Sequence, residues 1–394
     1  MKKFALLPVL IFLSANLVSA LDFGLLFDND FEAENKMFSY NPGLAPWFSW
    51  DGGKGIEVYI SADFSLKYYK YGDNSGETGL RKPGFLFELT RSAFIYRSGQ
   101  GFSVEAGRIL YSDAMGVNAI GLFDGARIEK SFAGGDLSAA LLYTGLLYRE
   151  NAKIVMTGTD AIEYIKPYKS AGDYFASRRL FITARWDNPL LEHHDFSVEA
   201  LFQFDLNGKD DTLHSQYAQA MLEFFTENRI GFSAGALLET MEGSDGFALG
   251  FGAKAVLRID PPTSLNDSLR FTAKYSSGAW NETFASFTPI TALEQGYVFA
   301  GTFSGLSLLR ANYDVRIMRE LFAEASLGYF MRTYSTSGSK YFYGGEFWAS
   351  LAWQPLDDIR AYFGFGMFFP GMGNIYPTGT DALWKINAGL SLSF

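Results

Sequence analysis

The chain has no cysteine, which excludes a disulfide framework, thiolate metal sites and a lipid-bearing cysteine behind an export signal. Histidine is almost as scarce, with three residues, and this leaves little from which to build imidazole chemistry. Long hydrophobic runs are absent beyond the N-terminus. The most apolar later stretch, 139–147, is interrupted by Thr144 and Gly145, well short of the ~20 apolar residues a spanning helix needs. A helical inner-membrane protein is thereby excluded. A basic excess is also missing: the formal net charge is −10, which argues against a nucleic-acid partner. Proline is sparse at 12 residues, so little in the chain interrupts extended structure.

What is present is apolar and aromatic. Hydrophobic residues make up 48% of the chain and aromatics 17%, with 41 Gly, 38 Phe and 22 Tyr. Such a composition suits strands that face lipid. Lys2 and Lys3 precede an apolar run, 4–13, that is followed by Val18-Ser19-Ala20, the parts of a cleaved secretory signal. Residues 1–20 are therefore expected to be removed, and 21–394 to form a single domain.

Period-two alternation dominates that domain. Ile56, Val58, Ile60, Ala62, Phe64, Leu66 and Tyr68 share one face, while Glu57, Ser61, Asp63, Ser65 and Lys67 share the other. A helix would need a period of 3.6, so the helical reading fails. The pattern recurs over 84–97, 102–110, 122–132, 137–148, 178–187, 196–205, 217–227 and 229–241. It continues over 247–260, 269–280, 303–317, 321–332, 341–353, 359–369 and 383–394. Short links alternate with longer ones such as 149–177 and 281–301. Tight turns therefore gather at one end and long loops at the other. The expected fold class is all-β: a single antiparallel transmembrane barrel of about 16 strands, or about 18 if residues 21–54 join the wall as an opening hairpin rather than forming a periplasmic segment or plug. Whole apolar faces, such as Phe247, Leu249, Phe251, Ala253, Ala255, Leu257 and Ile259, then meet lipid, and closure satisfies the backbone. Up-and-down parity also gathers aromatics at two rims: Trp50, Phe102, Trp186, Trp353 and Phe394 at one, and Tyr71, Tyr148, Trp280 and Trp384 at the other.

The last strand alternates to the final residue, with Trp384, Ile386, Ala388, Leu390, Leu392 and Phe394 on one face. It resembles the closing strand of bacterial outer-membrane β-barrels. That resemblance implies outer-membrane residence, short periplasmic turns and longer extracellular loops. It further implies that Trp384, Leu390, Leu392 and Phe394 are the signal read by periplasmic chaperones and the barrel-assembly machinery. Nothing in the sequence marks a face for a homo-oligomer, and that arrangement stays open.

The polar parity carries the functional candidates. Arg127, Glu129, Arg185, Glu199, Glu223, Lys254, Arg270, Lys274, Arg310, Arg316 and Arg360 are expected to line the lumen, either as determinants of solute selectivity or as cross-strand charge ladders. At this strand number the lumen is expected to hold water rather than packed side chains. Lys254, Arg270, Lys274, Arg310, Arg316 and Arg360 concentrate cations on neighbouring strands. Gly107-Arg108, followed by Leu122-Phe123-Asp124-Gly125-Ala126-Arg127, is similar to a pattern in alginate-export-type barrels. The resemblance would place Arg108 and Arg127 in a cation-lined conduit for an anionic polysaccharide, although glutamates on the same faces depart from it.

Enzymatic readings find no support. His193 and His194 fall in a turn and His214 in a loop, so no histidine shares a face and level with a nucleophile. Asp205-Leu-Asn-Gly-Lys-Asp-Asp211 has the look of a Ca²⁺ loop, but Lys209 occupies a ligand position. No cofactor is expected. Loop 149–177, with Lys153, Lys166, Lys169, Tyr164, Tyr168 and Tyr174, reads equally as an inward constriction or lid and as an exposed surface loop. The function expected is a passive outer-membrane porin for small hydrophilic solutes. The alternatives are a saccharide transporter and a closed structural or adhesive barrel.

Overall fold

The computed structural model describes residues 20–35, 37–72, 78–166, 171–191, 194–208, 211–226, 229–244, 246–281, 283–334, 338 and 340–394. The expected signal, 1–20, lies outside them apart from Ala20, which opens the first strand. Eighteen antiparallel strands form one closed sheet: β1 (Ala20–Glu34), β2 (Met37–Gly53), β3 (Ile56–Gly72), β4 (Thr78–Ser98), β5 (Phe102–Ser112), β6 (Ile120–Phe132), β7 (Gly135–Tyr143), β8 (Arg179–Leu191) and β9 (His194–Asp205). The remainder are β10 (Leu213–Phe225), β11 (Ile230–Gly243), β12 (Gly246–Ile259), β13 (Ser268–Ser276), β14 (Leu306–Met318), β15 (Leu321–Arg332), β16 (Phe342–Leu356), β17 (Ile359–Phe369) and β18 (Leu383–Ser393).

Residues 20–53 are wall throughout. The stretch 28–43 is polar in composition, and β1 pairs with β18 on one side and with β2 on the other. Its inward carboxylates alternate correctly: Asp28 accepts a hydrogen bond from Ser391 and Asp30 from Tyr362 at 2.6 Å. The outward Asn29 breaks the apolar pattern and is satisfied by the Tyr40 hydroxyl at 2.7 Å. Phe394 seals the seam, exchanging backbone hydrogen bonds with Leu25 at 3.0 and 2.9 Å.

The outward parity is an apolar belt. Ile128, Leu141, Leu238, Leu309, Leu327 and Phe363 are each about half exposed or more. A fully exposed side chain of this kind costs roughly 1.5–3 kcal/mol in water, and a continuous row of half-exposed ones marks a wall that spans a membrane. Trp353 and Trp280 stand exposed toward opposite rims. Tyr148 departs from the rim expectation: it is 2% exposed and packs inside, with the Lys67 ammonium 4.8 Å from its ring centre. The side chain of Tyr71 lies outside the described residues. Links are short at one rim, as at 54–55, 133–134 and 357–358, while long segments cluster at the other, where the β1–β2 and β11–β12 links are nevertheless tight.

Candidate functional site

Three segments from the loop rim enter the lumen. Segment 144–178 carries two short helices, α1 (Arg149–Ala152) and α2 (Gly158–Ile165). Helix α2 starts on a reciprocal cap between Thr157 and Asp160, which satisfies two otherwise orphaned amides. The Asp160 carboxylate also meets Arg179, the first residue of β8, at 2.5 Å, and Arg179 reaches Asp205 at 2.8 Å. All three are buried. On the opposite side Glu150 pairs with Lys67 at 3.1 Å, and Asn151 donates to Glu88. The segment is thus fastened to β3, β4, β8 and β9, which selects the inward reading over the exposed loop. Lys153 lies 4.0 Å from Glu294, Lys166 pairs with Asp173 at 3.2 Å, and Tyr174 donates to the Phe87 carbonyl at 2.7 Å. Tyr168 and Lys169 lie outside the described residues.

The β5–β6 link, 113–119, is the second segment. Its Asp113 carboxylate accepts the Asn118 and Ala119 amides at 2.9 Å, closing a compact loop. The third segment, 277–305, crosses from β13 to meet it. The Asn118 side chain accepts the Ile290 amide at 3.1 Å, and its carbonyl accepts the Thr291 amide at 3.0 Å. Ala292 then donates to the Lys153 carbonyl at 2.8 Å. Hydrogen bonds therefore join all three segments.

Beneath this junction the lumen is not simply water-filled. Met115, Val117, Leu147, Ile154, Phe287 and Ile290 from the segments pack on Ile95, Phe123, Leu142, Phe181, Leu201 and Leu237 from β4–β11. The expectation of an open lumen on this side is corrected: inward loops supply apolar side chains, and the facing wall is apolar to match. A smaller cluster, built on Phe299, Phe330 and Phe368, occupies the loop end of β14–β17.

Charge is left on the other side. Lys254 stands directly opposite Lys274 across β12–β13, and Arg258 opposite Arg270, a like-charge arrangement that the fold gains nothing from. Neutral oxygens serve these cations: Lys254 donates to the Met115 carbonyl at 2.7 Å, Lys274 to the Gln295 side chain at 2.8 Å, and Arg310 to the Gln295 carbonyl. Arg310 is also 3.6 Å from Glu346, which accepts the amides of Tyr297, Val298 and Phe299. Arg270 is 4.0 Å from Asp314. Arg316 sits at the turn end over Phe322, and Arg360 is exposed on the inward parity of β17. Elsewhere on the inward parity, Asp28, Asp30 and Asp63 on β1 and β3 line a recess of about 430 Å³. That recess shares Lys67 and Asn151 with a cavity of about 550 Å³ under α1 and α2.

The other candidates are tied into the wall. Glu105 bridges Arg91 and Arg127 at 3.2 and 2.6 Å, and Arg127 continues to Glu129 at 3.1 Å. Arg185 pairs with Asp187 at 2.8 Å. Glu199 is 1% exposed and accepts from Tyr111, the Ala114 amide and Gln219. Glu223 is exposed toward the turn end of β10. Arg108 does not line the lumen. It pairs in register with Asp124 on the outward parity of β5 and β6, while Gly107 and Ile109 point in, and its guanidinium is bound to Asp124 at 2.9 and 3.0 Å.

His214 accepts the Asp205 amide at 3.1 Å, and His193 lies outside the described residues. Asp205 and Asp211 are occupied by Arg179 and by the Thr159 amide, the latter at 2.7 Å; Lys209 is not described. Among the described residues no cluster of three or more His, Asp or Glu side chains is placed to hold a metal ion. Sequence reasoning missed Gln295, Tyr297 and Asn118. The available signal was the density of apolar residues in 283–303, unusual for a solvated loop.

No protein-family model matches the chain, and no curated protein matches it. Solved structures do. The chain is similar to Pseudomonas aeruginosa OccK5 (OpdH), with TM-score 0.60, 10% identity and coverage of 95% of this chain and 98% of that one. It is similar to P. aeruginosa OccK7 (OpdD) at 0.60 and 13%, covering 95% and 99%. It is also similar to P. aeruginosa OpdK, solved with vanillate, at 0.61 and 11%, covering 95% and 98%. At this identity the likeness is one of fold, and it spans nearly the whole barrel.

Proposed function

We propose that the protein is an outer-membrane channel through which small hydrophilic solutes diffuse, with its turn rim in the periplasm. The observation that carries this reading is the unequal lumen. The apolar contacts of the three inward segments gather on β4–β11, while two cavities that share Lys67 and Asn151 lie under α1 and α2 and beside Asp28, Asp30 and Asp63. Lys254 and Lys274 rest on neutral oxygens that a solute anion can replace, and Arg310 on one such oxygen beside Glu346, so anions are favoured. The OpdK structure with vanillate supports a carboxylate-sized occupant in a barrel of this architecture. The β12–β14 cations fit small anions better than a polysaccharide, because Arg108 is outside the lumen and Arg127 is neutralised by two glutamates. Trp384, Leu390, Leu392 and Phe394 are the proposed recognition element for chaperones and the assembly machinery.

Planar-bilayer recording tests the channel directly. Discrete conductance steps are expected, and a sealed barrel would end the proposal. Neutralising Lys254, Lys274 and Arg310 together should shift the reversal potential in a salt gradient toward cations. The Arg185→Gln/Asp187→Asn double variant should leave it unchanged, because it removes a pair whose charges already cancel.

A further inference from the structure

The Gly-Arg and Phe-Asp-Gly motif occupies the place where the wall divides. Strand β5 pairs with β4 only as far as Ser92 and Arg108, and β6 pairs with β7 only as far as Asp124 and Tyr143. Beyond those pairs the β5–β6 hairpin leaves both neighbours and turns into the lumen. Gly107 and Gly125 face each other at the crease. Gly107 has φ +127°, and a Cβ there would lie 2.1 Å from the Ser92 carbonyl; at Gly125 one would lie 2.0 Å from the Leu141 carbonyl. Only glycine allows the bend at these two positions.

The departing hairpin leaves a notch in the wall, and Arg108 fills it. Its guanidinium binds the Asp124 carboxylate at 2.9 and 3.0 Å, the Leu89 carbonyl of β4, and the Leu146 carbonyl of the segment behind β7 at 3.0 Å. One planar fork thus ties hairpin, wall and inward segment, a task suited to its five fixed donors. The side chain is only 6% exposed, as a charge on the outward parity of a membrane wall requires. The hairpin tip is held elsewhere by Glu199, Lys254, the Asn118 contacts, the Thr291 hydroxyl on the Ile120 amide, and the packing of Met115 and Val117.

The geometry points to Arg108 as a positioning residue: from outside the lumen it fixes the angle of the crease, and with it the place of residues 113–119 in the channel. The inference rests on the channel reading for its functional consequence, while the crease itself can be measured without it. Because the chain has no cysteine, the S112C/S350C pair places two nitroxides uniquely, one near the hairpin tip and one on the inward parity of β16. Pulsed EPR on the full chain in lipid vesicles should give one narrow distance distribution with Arg108 present. R108M and D124N should broaden it, and R108K, one charge with no fork, should broaden it less. In bilayers the same variants should show several conductance levels and higher open-channel noise where the parent shows one level. A folded R108M or R108K barrel with the parent's distance distribution would overturn the inference. Label response without conductance in any variant would instead retain the positioning role and remove the channel reading.

Discussion

The two sides of the lumen are built on the same wall and come out differently. From β4 to β11 the inward parity carries Ile95, Phe123, Leu142, Phe181, Leu201 and Leu237, and the incoming segments answer with Met115, Ile154 and Phe287. From β12 round to β3 it carries Lys254, Lys274, Arg310, Asp28, Asp30 and Asp63. The first side behaves like the interior of a soluble domain, where burial and close packing hold the inward segments. The second keeps a charged inward parity, where neutral oxygens of Met115 and Gln295 meet Lys254, Lys274 and Arg310 and Glu346 lies 3.6 Å from Arg310. The apolar packing of the narrowing elements is thereby concentrated in one sector of the sheet and the inward cations in another, and the two sectors meet where those cations hold the segments. Lys254, Lys274 and Arg310 are the points of overlap, since they belong to the cationic wall and hold Met115 and Gln295 of the inward segments.

The sharpest way to break the contrast is to unfasten the packed side. Arg179→Met leaves Asp160 and Asp205 buried and facing each other without a cation. Loss of one partner from such a site costs about 3–5 kcal/mol, so the inward segment should detach. Urea unfolding in micelles should show the destabilisation, and bilayers should show a wider pore. A next and smaller effect separates inside from outside. Leu142→Ala, in the packed side at 1% exposure, should cost about 2–5 kcal/mol, whereas Leu390→Ala, on the lipid face at 39% exposure, should cost markedly less. Equal losses would mean that the interior cluster is not a core. The smallest effect concerns the rim. Hydrogen bonds, chiefly from the Thr159 amide, hold the Asp211 carboxyl below its usual range. A depressed carboxyl pKa contributes stability above the unfolded pKa and loses it as pH falls through the folded one. Asp211→Asn should cost only about 0.5 kcal/mol in this exposed position. It should also abolish the acid-side change in protease sensitivity around α2, which limited proteolysis as a function of pH would detect.

The wall was legible because alternation encodes it: each strand states which residues face lipid, and parity then orders the rims. The opening hairpin was harder to read, since Pro42 and Pro46 remove ladder donors from β2 and the run Asp28-Asn29-Asp30 hides a lumen-facing alternation. The candidate site divided along the same line. Lys254, Arg270, Lys274 and Arg310 followed from parity alone. The plugged side did not, because whether a segment such as 277–305 enters a lumen depends on contacts between Asn118 and Ile290, 172 positions apart, which no local period reports. Arg108 was misplaced for a related reason: a motif match carries no parity, and one residue of offset moves a side chain to the opposite face.

Closure between β1 and β18 has a temporal consequence. Ser391 and Asp28, 363 positions apart, meet across that seam. Loop-closure entropy grows only logarithmically, by about 0.6 kcal/mol for each doubling of length, so the separation weighs little on the finished barrel. It weighs on the route instead. Every other pairing in the cylinder joins strands adjacent in the chain and can form progressively, whereas this one must await the last strand. Topology alone therefore makes the seam at Leu25 and Phe394 the pairing of largest sequence separation in the barrel.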